Sequence, residues 1–153
     1  MIHHQDLVIT NDLATLAEVR DLVATALRKG GFAPQFLNRL QIAVDEAITN
    51  IIEHGYEGKP RGAAHIQISA SVSPDEFRIV IIDQGTAFDP NTLGDIDIDS
   101  HIASGHSGGL GVFLMRKIMD VVDYHYETGK RNRLLLVKYR PTVGTGAITA
   151  SAK

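Results

Sequence analysis

Apolar residues recur every three to four positions in three segments of the chain, which is the spacing of a helix with one buried face. The first segment covers residues 11–31 and the second about residues 34–54. The third is "GVFLMRKIMDVV", residues 111–122, which follows a run of glycines directly. We therefore predict three amphipathic helices.

The ends of the first two helices have polar or glycine residues of the types that start and stop helices. Asn11 or Asp12 can cap the first helix, and the pair Gly30-Gly31 stops it. Gly55 is expected to end the second helix in the left-handed conformation that glycine adopts readily.

Other segments alternate apolar and polar residues or form short apolar runs, as strands do. In "HIQISASV" every second residue is apolar, which indicates a strand with one buried face and one wet face. Pro74 and the acidic residues after it turn the chain into the more buried "FRIVIID". The predicted strands are Leu7–Ile9, His65–Val72, Phe77–Asp83, Asp123–Thr128 and Arg133–Arg140.

This order of elements predicts an α+β fold, a two-layer α/β sandwich with a mostly antiparallel mixed sheet and the helices on one face. The chain of 153 residues fits one domain, which we place at residues 1–140. Residues 141–153 are small and polar and are expected to form a frayed C-terminal tail.

Composition narrows the function classes. The formal net charge of −3 gives no bias toward nucleic acid or membrane surfaces. The basic cluster Lys130, Arg131 and Arg133 has no interleaved aromatics and is interpreted as a solvated hairpin turn. The chain lacks cysteine, a bilayer-length apolar run and a signal peptide, so we expect a cytoplasmic protein.

The second helix has polar residues at helical spacing on a face beside its apolar stripe. Glu46 and Asn50 are one turn apart, and His54 is one turn further. Ala43 adds little bulk beside them, so the row could border a cavity. An isolated Glu-x-x-x-Asn pattern is more often a solvated helix face.

Two further patterns are individually weak. Asp83 ends a buried strand just before Gly85, where an aspartate is often only a turn former. Gly105, Gly108, Gly109 and Gly111 precede or open the third helix, where free N–H groups attract anions such as phosphate. This is not a Walker P-loop, because no Gly-Lys-Ser/Thr sequence follows.

Taken in order, the three patterns resemble the Bergerat-type ATP-binding domain shared by gyrase, Hsp90, sensor histidine kinases and MutL. The finer matches are "DEAITNIIEHGY", "DQGTAFDP" and "GGLGVFLMRKIMDVV". They are similar to the bacterial anti-sigma-factor serine/threonine kinases of the partner-switching type. The resemblance extends to about Arg140.

The resemblance implies a role for each residue of these motifs. Glu46 would be the general base, and Asn50 would hold Mg²⁺ that bridges the phosphates. Asp83 would accept a hydrogen bond from the adenine amino group, with Gly85 letting the base pack close.

The glycine-rich motif would hold the phosphates of ATP. Its residues are Gly105, Gly108, Gly109, Leu110 and Gly111, and residues 91–107 would close over the nucleotide as a lid.

The chain departs from the wider superfamily at two places. Ala87 stands where the superfamily has the second glycine of Asp-x-Gly-x-Gly. By the resemblance, this residue would narrow the ATP pocket slightly. The segment "RLLLVKYR" lacks the threonine that many relatives place near adenine. His54 could contact the site or cap the helix C-terminus, and we favour the cap.

The resemblance implies an ATP-dependent kinase that holds a sigma factor and phosphorylates a STAS-domain antagonist, and a homodimer is a further expectation from it. The alternative is a nucleotide-gated binding module with little or no kinase activity, against which Glu46 argues. A histidine kinase is disfavoured, since no phosphoacceptor helix pair precedes the domain.

Overall fold

The computed structural model describes residues 1–87, 108–127 and 131–141. The side chains of residues 108–112 are outside this description. In chain order the elements are β1 (His3–Thr10), α1 (Leu16–Lys29), α2 (Gln35–Asn50), β2 (His65–Val72), β3 (Glu76–Asp83), α3 (Gly108–Ile118), β4 (Val121–Glu127) and β5 (Arg131–Tyr139).

The strands form one five-stranded sheet in the order β1-β2-β3-β5-β4. Every neighbouring pair among these strands is antiparallel. Helix α1 packs against β1, β2 and α2, and α2 packs against α3. The predicted α+β sandwich is confirmed.

The hydrophobic core lies between the helices and one face of the sheet. Alternate residues of the central strands point into it, such as Ile68 on β2, Ile81 on β3 and Leu136 on β5. The opposite face retains exposed polar residues such as Gln67 and Arg78. Burying each large aliphatic side chain contributes roughly 1.5–3 kcal/mol, so this face fixes the register of the strands.

The predicted capping of α1 is confirmed in part. Asp12 Oδ1 accepts a hydrogen bond from the Ala14 N–H at 3.0 Å, at a short 3₁₀ turn that precedes the helix. Gly31 has a φ of 73°, the left-handed conformation expected of a helix stop. Asn11 does not cap the helix: its side chain bonds the backbone of Pro60 and Ala64.

Two helix ends differ from the sequence-based prediction. Gly55 is not left-handed; the chain continues past α2 as one wide π-helical turn, Ile51–Gly55. Helix α3 begins at Gly108 and ends at Ile118, because Val121 and Val122 pair with β5 as part of β4. Within the described residues no helix is long and apolar enough to span a bilayer.

Strand β2 has the predicted bounds, and the other four strands are longer than predicted. Strand β1 extends over His3–Thr10 because it pairs with the whole of β2. Strand β5 starts at Arg131, so Asn132 belongs to the strand and not to the hairpin turn. The pattern missed this because a buried asparagine interrupts the apolar alternation.

Arg140, just after β5, binds two separate segments of the chain together. Its guanidinium lies 4.2 Å from the centre of the Phe32 ring. It donates hydrogen bonds to carbonyls at the end of α1 and in the β2–β3 turn, those of Gly30, Gly31, Ser73 and Pro74. Residues 142–153 lie outside the described part, so a domain boundary near residue 140 stays a prediction.

Replacing Arg140 by Lys is therefore expected to destabilise the fold. An ammonium cannot span carbonyls on two segments or stack its plane on Phe32, so we expect a loss of about 1–2 kcal/mol. Thermal unfolding checks this, with Arg61→Lys at an exposed loop position as the matched control. Equal melting temperatures for the two variants would show that Arg140 does not join these segments.

Candidate functional site

The polar row of α2 lies at the edge of the core, as predicted. Ala43 is completely buried, and Asn50, the last residue of α2, is only 5% exposed. Glu46, one turn earlier, is half-buried. A buried asparagine beside a half-buried glutamate is not a solvated helix face, so the solvated-face alternative is wrong.

The π-helical turn Ile51–Gly55 follows Asn50 directly. Turns of this kind are uncommon and often occur at functional sites. Ile51 and Ile52 are buried, whereas His54 is exposed. Capping by His54 therefore stays a prediction.

The end of this turn meets the loop after β3 through two glycines. The Thr86 N–H donates to the Gly55 carbonyl at 2.8 Å. A Cβ on Gly85 would lie 2.5 Å from the Gly55 carbonyl oxygen and 2.7 Å from its carbon. Both distances are shorter than atoms tolerate, so the approach requires glycine at position 85. This contact joins the Glu46–Asn50 element to the Asp83 element.

Asp83 ends β3 and is 4% exposed. Its Oδ1 accepts hydrogen bonds from the Gly85 N–H at 2.8 Å and from Asn132 Nδ2 at 2.9 Å. Asn132 Nδ2 also donates to the Gly85 carbonyl at 2.9 Å. The bond from Gly85 makes Asp83 a turn former, as the simpler alternative expected. The bond from Asn132 in addition holds Asp83 within a buried polar cluster, which a turn alone does not require.

Burial raises the pKa of both site carboxyl groups. For Asp83 the loss of solvation outweighs the hydrogen bonds from Asn132 and Gly85, which lower the pKa. For Glu46 the main cause is again burial, and the nearby carboxylates of Asp45 and Glu53 add to it. A raised pKa makes the ionised Glu46 a stronger proton acceptor.

Tyr56 supports the same loop from a second side. It is 6% exposed, and its hydroxyl oxygen accepts a hydrogen bond from the Gln84 N–H at 2.8 Å. The backbone between Asp83 and Gly85 is therefore held both by Tyr56 and by Asn132.

The remaining predicted residues are distributed as follows. Ala87 is exposed at the end of a described segment. Gly108, Gly109, Leu110 and Gly111 form the first turn of α3, so the glycine motif opens a helix as expected. Gly105 and the predicted lid, residues 91–107, lie outside the described residues.

Sequence reasoning missed Asn132 and Tyr56. Asn132 stands directly opposite Asp83 in the register of β3 and β5. A signal was present, since Asn132 falls on the same alternating face as Leu134 and Leu136, where a polar residue needs a buried partner. Its partner could not be named before the register was known.

Metal binding at this site would depend on few protein ligands. In residues 1–87, 108–127 and 131–141 no group of three or more His, Asp or Glu side chains could hold a metal ion. Asn50 offers a side-chain amide oxygen, a donor type that Mg²⁺ accepts when phosphates and water complete its shell.

Comparison with known proteins gives consistent matches. A family model described as "Histidine kinase-like ATPase domain" matches residues 9–138. A relative from Staphylococcus aureus, named serine-protein kinase RsbW, is 33% identical over 115 residues, 72% of each chain. Its Listeria monocytogenes counterpart is 33% identical over 105 residues. That match spans 66% of this chain and 66% of the relative.

Solved structures show the same fold. The RsbU and RsbW domains of a Mycobacterium tuberculosis protein match with a TM-score of 0.58 at 18% identity, over 90% of this chain and 34% of that one. The SiaB–SiaC complex from Pseudomonas aeruginosa matches with a TM-score of 0.57 at 12% identity, over 87% and 89%. At these identities the likeness is one of fold.

The two glycines of the junction should respond differently to alanine. Gly85→Ala places a methyl group against the Gly55 carbonyl and is expected to cost about 1–3 kcal/mol. Gly55→Ala is the matched control, because its Cβ would meet the Thr86 carbonyl oxygen at an ordinary 3.5 Å. Chemical denaturation of both variants checks this, and equal stabilities would contradict the close approach.

Proposed function

Since the chain belongs to the histidine kinase-like ATPase family, in its RsbW-like branch, we propose that it is an ATP-dependent serine/threonine protein kinase. The observation that supports this best is the glycine junction. It brings a buried acceptor, Asp83, and the Glu46–Asn50 row to adjoining segments, so one ligand can meet both.

Asp83 is the proposed adenine-binding residue. An ionised carboxylate only accepts hydrogen bonds, and the exocyclic amino group of adenine is a donor. The hydrogen bonds from Gly85 and Asn132 both end on Oδ1 of Asp83, so we assign the adenine amino group to Oδ2. Gly85 has no side chain that would separate the base from Asp83.

Asn50 is the proposed residue for Mg²⁺. Its amide oxygen at the end of α2 suits a hard cation that keeps several water and phosphate ligands. When bound, the metal would neutralise phosphate charge and orient the terminal phosphoryl group. Asn50 itself would fix the position of that charge relative to α2.

The first turn of α3 is the proposed phosphate-binding element. The first backbone N–H groups of a helix have no partner within it, and the helix dipole favours an anion there. Gly108, Gly109 and Gly111 add no side chains that would keep phosphates from these amides. Because α3 packs against α2, this turn belongs to the same layer as Asn50.

Glu46 is the proposed general base. It would accept the proton of the attacking serine or threonine hydroxyl while the oxygen bonds to the γ-phosphorus of ATP. The bond from the γ-phosphorus to the β–γ bridging oxygen breaks, and ADP leaves. The carboxylate lies one turn from Asn50, so it can face the hydroxyl without being the metal ligand.

The proposed protein substrate is a STAS-domain antagonist, and the proposed second partner is a sigma factor that the protein sequesters. This assignment rests on similarity to proteins named serine-protein kinase RsbW, whose name supports serine as the acceptor but identifies no individual partner. Assembly as a homodimer stays a prediction.

Asp83→Asn should separate adenine binding from folding. The amide oxygen of the new side chain can keep the bonds from Gly85 and Asn132, while the group opposite adenine becomes a donor. Because the folded-state pKa of Asp83 is raised, its ionised form costs stability as pH rises through that pKa. At pH 7 the variant should therefore be at least as stable as the wild type.

Calorimetry should show ATP affinity lower by about 10- to 100-fold for Asp83→Asn, the worth of a charge-assisted hydrogen bond. Thermal melts run beside it control for folding. Unchanged ATP affinity in a folded variant would remove Asp83 from the adenine site.

Glu46→Gln should separate catalysis from binding. The substitution keeps the shape of the side chain and removes its basicity, so ATP affinity should change little. Phosphate transfer to a STAS partner should fall by about 10²–10⁴-fold. In the wild type, transfer should fall as pH drops through the raised pKa of Glu46, because only the ionised form accepts a proton.

A transfer assay with labelled ATP checks this, with Asn50→Ala as the comparison. Asn50→Ala should lose binding and transfer together, because the phosphates lose their metal. Wild-type transfer by Glu46→Gln would show that Glu46 is not the base. A wild type that binds ATP but transfers none to any STAS protein would instead favour the binding-module alternative.

A further inference from the structure

The side-chain amide of Asn132 binds two acceptors of the adenine-binding loop at once. Its Nδ2 lies 2.9 Å from Asp83 Oδ1 and 2.9 Å from the Gly85 carbonyl oxygen. Both neighbours are acceptors, so the NH₂ group of the amide must face them and its orientation is determined by chemistry. Asn132 is only 4% exposed, so these bonds are shielded from water.

The three residues form a closed set of hydrogen bonds. The Gly85 N–H returns to Asp83 Oδ1 at 2.8 Å, so Oδ1 receives two donors. Two donors on one oxygen restrict rotation of the carboxylate and leave Oδ2 to face the base. The antiparallel register puts Asn132 directly across from Asp83, which fixes the pair through the sheet itself.

We propose that Asn132 is a positioning residue that sets the purine selectivity of the site. Its amide holds Asp83 as a fixed acceptor, so that the pocket takes 6-aminopurine triphosphates and rejects 6-oxopurine triphosphates. This inference rests on the proposed nucleotide function, in which Asp83 binds the adenine amino group.

The selectivity follows from the donor and acceptor pattern. A 6-oxopurine presents a carbonyl oxygen where adenine presents an amino group, so an ionised Asp83 would face it acceptor to acceptor. A protonated carboxyl could donate to that oxygen instead. Any interaction that keeps the Asp83 carboxylate ionised and fixed in direction therefore favours adenine over a 6-oxopurine.

Asn132 opposes protonation of Asp83 directly. Burial raises the pKa of Asp83, while the hydrogen bonds from Asn132 and Gly85 lower it. Among the described residues, the buried phenol of Tyr56 is a titratable group that interacts with the Asp83 charge. The pKa of Tyr56 is itself raised, mainly by burial. Without the Asn132 amide, the carboxyl should protonate at a higher pH.

The test compares ATP with inosine triphosphate, which differs from ATP in having an oxo group at position 6 of the purine. Binding of each nucleotide with Mg²⁺ is measured by calorimetry at a series of pH values, from neutral pH down to the lowest pH at which each variant stays folded. Asn132→Leu keeps the approximate shape and removes both donors, and Asn132→Thr restores one donor.

Asn11→Leu is the matched control. Asn11 is an asparagine of similar burial, 5% exposed, and its side chain also makes two described hydrogen bonds, to the backbone of Pro60 and Ala64. Loss of such a residue can lower stability, but it leaves the Asp83 cluster intact.

For Asn132→Leu we expect the preference for ATP over inosine triphosphate to fall by about 10- to 100-fold. ATP affinity should also be lost at a higher pH than in the wild type, because affinity falls as pH drops through the pKa of Asp83. Asn132→Thr should lie in between, and Asn11→Leu should keep the wild-type preference and pH midpoint.

An Asn132→Leu protein that binds ATP with the wild-type preference and pH midpoint would overturn the inference. If Asn132→Leu does not fold, wild-type values for Asn132→Thr would overturn it equally. A wild-type protein that binds neither nucleotide would overturn the proposed function instead. Because the wild type is measured first, this outcome is distinguished from a failure of the Asn132 inference alone.

Discussion

The proposed site depends on one backbone contact, the approach of Gly85 to Gly55. Two backbone segments of the chain meet there with no side chain between them, and the Thr86 N–H donates to the Gly55 carbonyl at 2.8 Å. The π-helical turn delivers Gly55 to this point after α2 has placed Asn50 in the core. The contact joins two distant stretches of sequence, and the proposed site takes Asn50 from one of them and Asp83 from the other.

The proposed site also requires that the Asp83 carboxylate be ionised although it is buried. Asp83 is removed from water, which disfavours its ionised form, and the donors of Asn132 and Gly85 offset this in part. Burial of this carboxylate lowers the stability of the fold, but it leaves a hydrogen-bond acceptor whose direction is fixed. Carboxyl groups with shifted pKa values of this kind are common at functional sites. Tyr56 and Asn132 hold the loop from two sides, so a ligand would meet a preformed group.

Much of the fold could be predicted from the sequence, because local periodicity indicates which face of each helix or strand is buried. Such patterns predicted the helices and the central strands, whereas Asp83 and the Glu46–Asn50 row became candidate site residues only through the resemblance of their combined motifs to an ATP-binding family. The conformation at Gly55 and the roles of Asn132 and Arg140 could not be predicted. They depend on which distant residues become neighbours: the β3–β5 register places Asn132 opposite Asp83, and Arg140 bonds the end of α1 from the far end of the chain.

The most direct test is a crystal structure of the protein with Mg²⁺ and a non-hydrolysable ATP analogue. The adenine amino group should lie on the Asp83 carboxylate, the metal on the Asn50 amide oxygen and the γ-phosphate opposite Glu46, with the Gly55–Gly85 contact unchanged. A nucleotide bound elsewhere, or one whose base does not meet Asp83, would contradict the claim that this junction builds the site.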